Sequence, residues 1–193
     1  MTNLITLDEY KEQEGITSPK DDVRLSHIIP SVSQLVKTYC GNSIVDYATE
    51  NKVEEFSVNW ATSIVQLTES PLIEVVSVEE RDNFSSPYNT LSSEDYYVDS
   101  VTDSIIRVSG GSYRPWKTGP GAVRVTYKAG YEECPADLRL ALYDLVTYYL
   151  KDEHKERRSL QGATVQNQAS TTQKNNVAFP DHIKRVLDLY KNF

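Results

Sequence analysis

The side chains best suited to acid–base, nucleophilic or metal chemistry are few in this 193-residue chain. Of its three histidines, His27 falls beside the apolar face of a predicted helix, His154 lies in a run of charges, and His182 starts a terminal helix. None occurs in a recognisable nucleophile motif, and no His-x-x-x-His or Glu-x-x-His spacing is present for a metal. We therefore expect no catalytic residues, no metal and no cofactor.

The acidic pairs and the cysteines offer no better arrangement. Glu54-Glu55, Glu79-Glu80 and Glu132-Glu133 are adjacent in sequence, so in a strand the two side chains of each pair point to opposite faces. Cys40 and Cys134 have neither zinc-site spacing nor a disulfide framework, and we predict reduced thiols. These patterns favour a protein that is not an enzyme.

Thirteen tyrosines leave a binding function open. Tyr96-Tyr97, Tyr113 with Trp116, and Tyr127 with Tyr131 could stack on sugars, although tyrosine is equally common in protein interfaces. Stacking on single-stranded nucleic acid is disfavoured because few basic residues accompany these tyrosines. A β-rich carbohydrate- or protein-binding module is therefore the alternative function.

The charge is negative and unevenly distributed. The net charge is −8, which argues against sequence-independent binding to nucleic acid. Residues 1–150 hold 12 Lys/Arg and 23 Asp/Glu, whereas residues 151–193 hold 8 and 5. No apolar run is long enough to span a membrane, and the N-terminal residues lack the pattern of a secretory signal. We expect no membrane partner.

Three helices are predicted from capping residues and apolar spacing. Thr6 and Glu9 have the spacing of a capping box and predict a helix over residues 6–14. Ser18-Pro19 predicts a second helix over 19–40, and Pro135 a third over 135–157. Together they indicate a small helical bundle.

The middle of the chain, residues 44–129, has the rhythm of short strands. Its β-branched and aromatic segments are separated by Gly, Pro, Asn and Ser, which is typical of an antiparallel sheet or small barrel. No glycine-rich strand-to-helix turn indicates nucleotide binding. The predicted fold is α+β, with strands at residues 53–60, 63–67, 74–80, 96–99, 105–108 and 122–128.

The helix after Pro135 carries two apolar stripes, one more than a surface helix needs. We predict that the second stripe contacts another copy of the chain, although the sheet of the same chain is an alternative cover. Its residues are Leu140, Tyr143, Thr147 and Leu150.

Residues 159–193 are predicted to form a flexible polar arm that ends in a short amphipathic helix, after a core of residues 1–158. So short a helix is marginal alone and needs its own domain or a partner's groove to dock on. Its apolar residues are Phe179, Ile183, Val186, Leu187, Tyr190 and Phe193.

The order of these parts resembles the head–tail connector (adaptor) family of tailed double-stranded-DNA phages. The segments that carry the resemblance, in order, are "LITLDEYKEQEGI", "SPKDDVRLSHIIPSVSQLVKTYCG", "SPLIEVVSVEERD", "EDYYVDSVTDSIIRV" and "VRVTYKAGYEECPADLRLALYDLVTYYLKDEHKER". The match covers roughly residues 4–158, and the last segment is the most specific.

The resemblance implies a structural protein of the virion neck, assembled in the host cytoplasm. It implies a ring, typically of twelve copies, that docks under the portal protein and meets the next neck or tail-completion protein. Double-stranded DNA would pass through the lumen without specific binding, and an acidic lumen would help it to move. The resemblance also assigns portal docking to the C-terminal helix listed above by its apolar residues.

Overall fold

The computed structural model describes residues 2–153 and 179–191 of the chain. These residues form two compact units. One is helical and combines residues 2–41 with 133–153 and 179–191, and the other contains the strands of residues 42–132. The predicted α+β class, with a β-rich region inserted into a helical bundle, is confirmed.

The described residues of the helical unit form four helices and a 3₁₀ turn. The helices are α1 (Leu7–Glu14), α2 (Asp22–Cys40), α3 (Ala136–Leu150) and α4 (Asp181–Leu187), and the turn is Asp188–Tyr190. The capping box of α1 is present, because Glu9 accepts from the Thr6 backbone N–H at 2.6 Å while Thr6 caps the Glu9 N–H. Gly15 and Gly41 end α1 and α2 in the left-handed conformation, with φ of 65° and 75°.

Two helix ends differ from the prediction. α2 begins at Asp22 rather than at residue 19, because the Ser18 hydroxyl accepts from the Lys20 N–H and the Asp22 N–H bonds the Pro19 carbonyl, which makes a turn. α3 ends at Leu150 rather than at residue 157. There Asp152 adopts a φ of 57° and pairs with Arg24 at 2.8 Å. Residues 154–157 lie outside the described part of the chain.

The strand unit contains two antiparallel sheets. The strands are β1 (Lys52–Val58), β2 (Ile64–Gln66), β3 (Leu72–Glu80), β4 (Asn89–Thr90), β5 (Tyr96–Asp99), β6 (Ser104–Ser109), β7 (Ser112–Tyr113) and β8 (Gly119–Ala129). One sheet has the order β1-β8-β3-β4 and the other β2-β6-β5, with β7 paired to β6. The six predicted strands are confirmed. The two missed strands have two residues each, too few for a period.

The core of the strand unit draws on both sheets. Its fully buried members include Val78, Ile105, Val125 and Tyr127. A buried charge pair accompanies them, because Arg107 on β6 lies 3.6 Å from Glu80 on β3. Each of these two charged residues is less than a tenth exposed, so the pair links the two sheets from inside the unit.

The described residues show neither a membrane span nor a metal cluster. Within them, no helix is both long and apolar enough to cross a bilayer. The same residues contain no group of three or more His, Cys, Asp or Glu side chains that could hold a metal ion.

Candidate interaction surface

The terminal helix α4 packs against α2 and α3 of its own helical unit. Phe179, Ile183 and Leu187 are 5%, 1% and 0% exposed, so their apolar side chains are covered within the chain. Phe179 meets the ring of Tyr39 on α2 edge-on, with ring centroids 5.0 Å apart. Of the two docking sites that the sequence left open for this helix, the structure shows α4 on its own unit.

Polar contacts hold the same helix at both ends. The hydroxyl of Tyr39 donates to Asp188 at 2.6 Å, and that of Tyr190 donates to Asp137 on α3 at 2.5 Å. The Cys40 thiol donates to the Leu187 carbonyl at 3.7 Å. At the other end, His182 Nε2 lies 3.8 Å from Asp144, a pair that is charged only when the histidine is protonated.

The protonation states at neutral pH suit these contacts. Burial, reinforced by the hydrogen bond to Asp188, raises the pKa of Tyr39 to about 12. Burial also raises the pKa of the Cys40 thiol to about 11. The Tyr190 hydroxyl holds the pKa of Asp137 below its ordinary value. At neutral pH the Tyr39 hydroxyl and the Cys40 thiol therefore keep their protons and act as the donors in these contacts.

The second stripe of α3 is mostly covered within the chain. Tyr143 is 9% exposed, with its ring 6.3 Å from that of Tyr10 on α1, and Thr147 hydrogen-bonds the Tyr10 hydroxyl at 2.8 Å. Leu150 is half-buried, and Leu140 is 56% exposed. Because α1 covers much of this stripe, the exposed apolar surface of α3 is smaller than expected. The predicted contact with another copy of the chain was inferred from that surface.

What remains exposed is a strip where α3 and α4 meet, which we call the seam. Tyr190 bonds Asp137 and His182 lies near Asp144, so α4 runs antiparallel to α3. Leu140 falls between those two carboxylates on the face of α3. On the terminal segment, Val186 and Leu189 lie between His182 and Tyr190, opposite Leu140. Val186 is half-buried, and Leu189 is 77% exposed. The seam consists of Leu140, Val186, Leu189 and Tyr190.

The sequence analysis predicted Val186 and Tyr190 for portal docking and Leu140 for a contact with another copy, but it missed Leu189. It missed this leucine because Leu189 lies off the stripe formed by Ile183, Leu187 and Tyr190, and an isolated leucine gives no periodic signal. Phe193, the last predicted docking residue, lies outside the described residues.

The aromatic residues of the strand unit are divided between core and surface. Trp116 is 2% exposed and its ring lies 5.8 Å from the Arg107 guanidinium, so it cannot form a sugar platform with Tyr113. Tyr97 and Tyr113 pair with Ile106 and Val108, and therefore share one face of the three-stranded sheet. Both are well exposed, but Tyr113 and Trp116 do not form the predicted stacking pair.

Comparison with solved structures shows that this fold occurs in phage-like particles. A chain from "Neck of native GTA particle computed with C12 symmetry" is 13% identical, with a TM-score of 0.60, over 100% of this chain and 96% of that one. A chain from "Neck of empty GTA particle computed with C6 symmetry" is 12% identical, with a TM-score of 0.60, over 98% and 90%. A chain from "Virion of native gene transfer agent (GTA) particle" is 11% identical, with a TM-score of 0.61, over the same shares.

These likenesses define the class of the fold, that of small α+β proteins found in the neck of a phage-like particle. A family model described as "HCP: Head completion protein" matches residues 3–193, so the chain belongs to the head completion protein family. No curated protein sequence matches the chain significantly. The resemblance to head–tail connectors is confirmed, and with it a structural role at the junction of phage head and tail.

Proposed function

We propose that this chain forms a closed ring that docks under the portal protein, extends the DNA channel and links head to tail. The observation that carries the proposal is the family match over nearly the whole chain. Chains of the same fold occur in neck structures that were computed with C6 and C12 symmetry. This symmetry favours a ring of twelve copies here. Identical copies close such a ring through heterologous contacts, in which two different patches of each copy meet.

For portal docking we propose the C-terminal segment together with Leu140 of α3, a residue that the sequence analysis assigned to a contact with another copy. The residues of the C-terminal segment divide between two tasks. Phe179, Ile183 and Leu187 are buried and would anchor α4 to the helical unit. The seam is exposed at Leu140 and Leu189 and half-buried at Val186 and Tyr190, and we assign it to the portal. Exposed apolar side chains bordered by polar ones are typical of protein interaction sites.

The proposed role as part of the DNA channel agrees with the negative charge of the chain. In the strand unit, residues 42–132, acidic residues outnumber basic ones by 14 to 7. An acidic lumen would repel phosphates, so that double-stranded DNA passes without specific binding. On the tail side, the ring would meet the next neck or tail-completion protein. We also propose a virion location, with assembly in the host cytoplasm.

The division of the chain into a connector core of residues 1–158 and an arm of residues 159–193 also remains a prediction. The described part of the arm, α4 with its 3₁₀ turn, belongs to the helical unit. Residues 159–178 lie outside the described part of the chain.

Mixing the purified chain with its cognate portal tests the proposal. We expect a defined complex containing a ring of identical copies, measured by native mass spectrometry. Deleting residues 160–193 should abolish binding to the portal. Because this deletion also removes buried Ile183 and Leu187, the seam variants described in the Discussion are the cleaner test. Full-strength binding by chains that lack the seam would overturn the docking assignment.

A further inference from the structure

The helix α4 lies in a groove formed by α2 and α3, and the structure shows which groups of α4 contact this groove. The groove offers an aromatic ring, Tyr39, to Phe179, and a hydroxyl of the same residue to Asp188. On the α3 side, Asp137 accepts from Tyr190. Any copy of α4 with the same sequence would fit this groove equally well, whether it came from the same chain or from a neighbour.

Within one chain, the connection from α3 to α4 has only a short distance to cover. His182 lies 3.8 Å from Asp144, and Leu150 is six residues further along α3, or about 9 Å at the helical rise. Allowing for the few residues on either side, the ends of the connection are separated by about 20 Å, which roughly six extended residues would span.

The chain has far more residues there than this distance requires. Residues 154–178 number 25 and could span at most about 80–90 Å. A compact body of about 75 residues has a radius of gyration near 11–12 Å, so equivalent points on touching helical units are roughly 30–40 Å apart. The tether is long enough to reach the groove of an adjacent copy.

We propose that in the assembled ring the α4 helix of each copy occupies the α2–α3 groove of its neighbour. This inference rests on the ring proposed above. Exchange of identical elements keeps every groove contact, so it costs no interactions and adds a link between copies. In a closed ring each groove still receives one helix, and each tether raises the effective concentration of its helix at the neighbouring groove.

A photo-crosslinker in place of Phe179 tests the exchange, because this side chain touches Tyr39 in the groove. Chains with and without a heavy-isotope label are mixed before assembly, and the rings are irradiated. If the helices are exchanged, roughly half of the crosslinked groove peptides should join a labelled to an unlabelled chain, as random mixing of identical copies requires. Crosslinks confined to chains of one isotope would overturn the exchange. A crosslinker at Val23, which is 74% exposed, serves as the control for random contacts.

A shortened tether gives a second test that does not alter the groove. Deleting residues 159–175 leaves eight residues between Glu153 and Phe179, enough for the connection within one chain but about 30 Å at full stretch. We expect this variant to fold with α4 docked and to form at least tenfold fewer rings. Rings at the yield of the full chain would contradict the exchange while leaving the ring intact. If the full chain itself forms no rings with its portal, the proposed function fails instead.

Discussion

Tyr39 donates its hydroxyl to a carboxylate oxygen of Asp188 across 2.6 Å, joining residues 149 positions apart in the sequence. The bond fastens the 3₁₀ turn after α4 to α2, the longest helix among the described residues, beside the buried Leu187. Because this contact orders the segment, it also fixes the position of the seam that we assign to the portal. We therefore expect the stability of the helical unit and the proposed portal binding to be linked at α4.

Replacing Leu187 with alanine should destabilise the helical unit by about 2–4 kcal/mol, because a fully buried leucine is lost and a cavity remains. Helical circular dichroism during urea unfolding measures the change. Leu189→Ala is the matched control, since that side chain is 77% exposed and its loss should cost under about 0.5 kcal/mol. Equal effects of the two substitutions would mean that α4 does not pack as described.

Removing the Tyr39 hydroxyl with Tyr39→Phe should cost about 1–2 kcal/mol, because a hydrogen bond to a charged carboxylate is lost while the ring stays in place against Phe179. A double-mutant cycle with Asp188→Asn isolates the pair. We expect a clear coupling energy between the two positions. Strictly additive effects would show that the bond contributes nothing.

Alkaline pH should weaken the same contact. The pKa of Tyr39 rises from its ordinary value of 10 to about 12 in the folded chain, so its contribution is complete below pH 10 and is lost as the pH rises through 12. Asp188 accepts from this hydroxyl, and Lys191 lies over the Tyr39 ring. The neighbouring Cys40 thiol, whose pKa is raised to about 11, loses its proton in the same pH range. Unfolding free energies between pH 9 and about 11.5 measure the loss. It should be smaller in Tyr39→Phe, and an equal decline in both proteins would assign it to other groups.

The substitution Glu80→Gln should destabilise the strand unit by about 3 kcal/mol, because it breaks the buried ion pair with Arg107. We expect this value, at the lower end of the range for buried pairs, because Asp95 still lies 3.3 Å from Arg107. Both tryptophans of the chain, Trp60 and Trp116, lie in this unit, so their fluorescence follows its unfolding. Glu79→Gln, which removes a more exposed partner of Arg124, should cost under about 1 kcal/mol. A smaller loss for Glu80→Gln than for this control would refute the role of the buried pair.

The sequence predicted the parts of the fold that depend on local chemistry. The capping box at Thr6 set the start of α1. β-Branched and aromatic segments, bounded by Gly, Pro, Asn and Ser, identified the six longer strands. The end of α3 was wrong because nothing in the charged run after Leu150 shows that Asp152 turns the chain with a positive φ.

The candidate site was harder to predict, since it depends on which elements meet. Two stripes on α3 were visible in the sequence, but the cover provided by Tyr10 of α1 was not, because that contact spans 137 residues. Spacing placed Leu187 on the apolar stripe of the terminal helix and Leu189 off it. It could not show that Leu187 is buried within its own chain, because that burial depends on which elements meet.

Placing charges on the seam should block portal binding without unfolding the chain. We expect Leu140→Asp combined with Leu189→Asp to weaken binding at least tenfold, because both side chains are exposed and would be buried against the portal. Val23→Asp, at a position that is 74% exposed on α2, is the matched control and should bind normally. Circular dichroism verifies that both variants are folded. Unchanged binding by the double variant would move the docking surface elsewhere.

The central claim is that this chain is a ring-forming link between the portal and the tail. The most direct measurement is the mass of the complex that the full chain forms with its cognate portal, determined by native mass spectrometry. We expect one portal carrying a closed set of identical copies, twelve if the ring has the C12 symmetry with which a neck containing a chain of this fold was computed. A chain that stays monomeric beside an unchanged portal would contradict it.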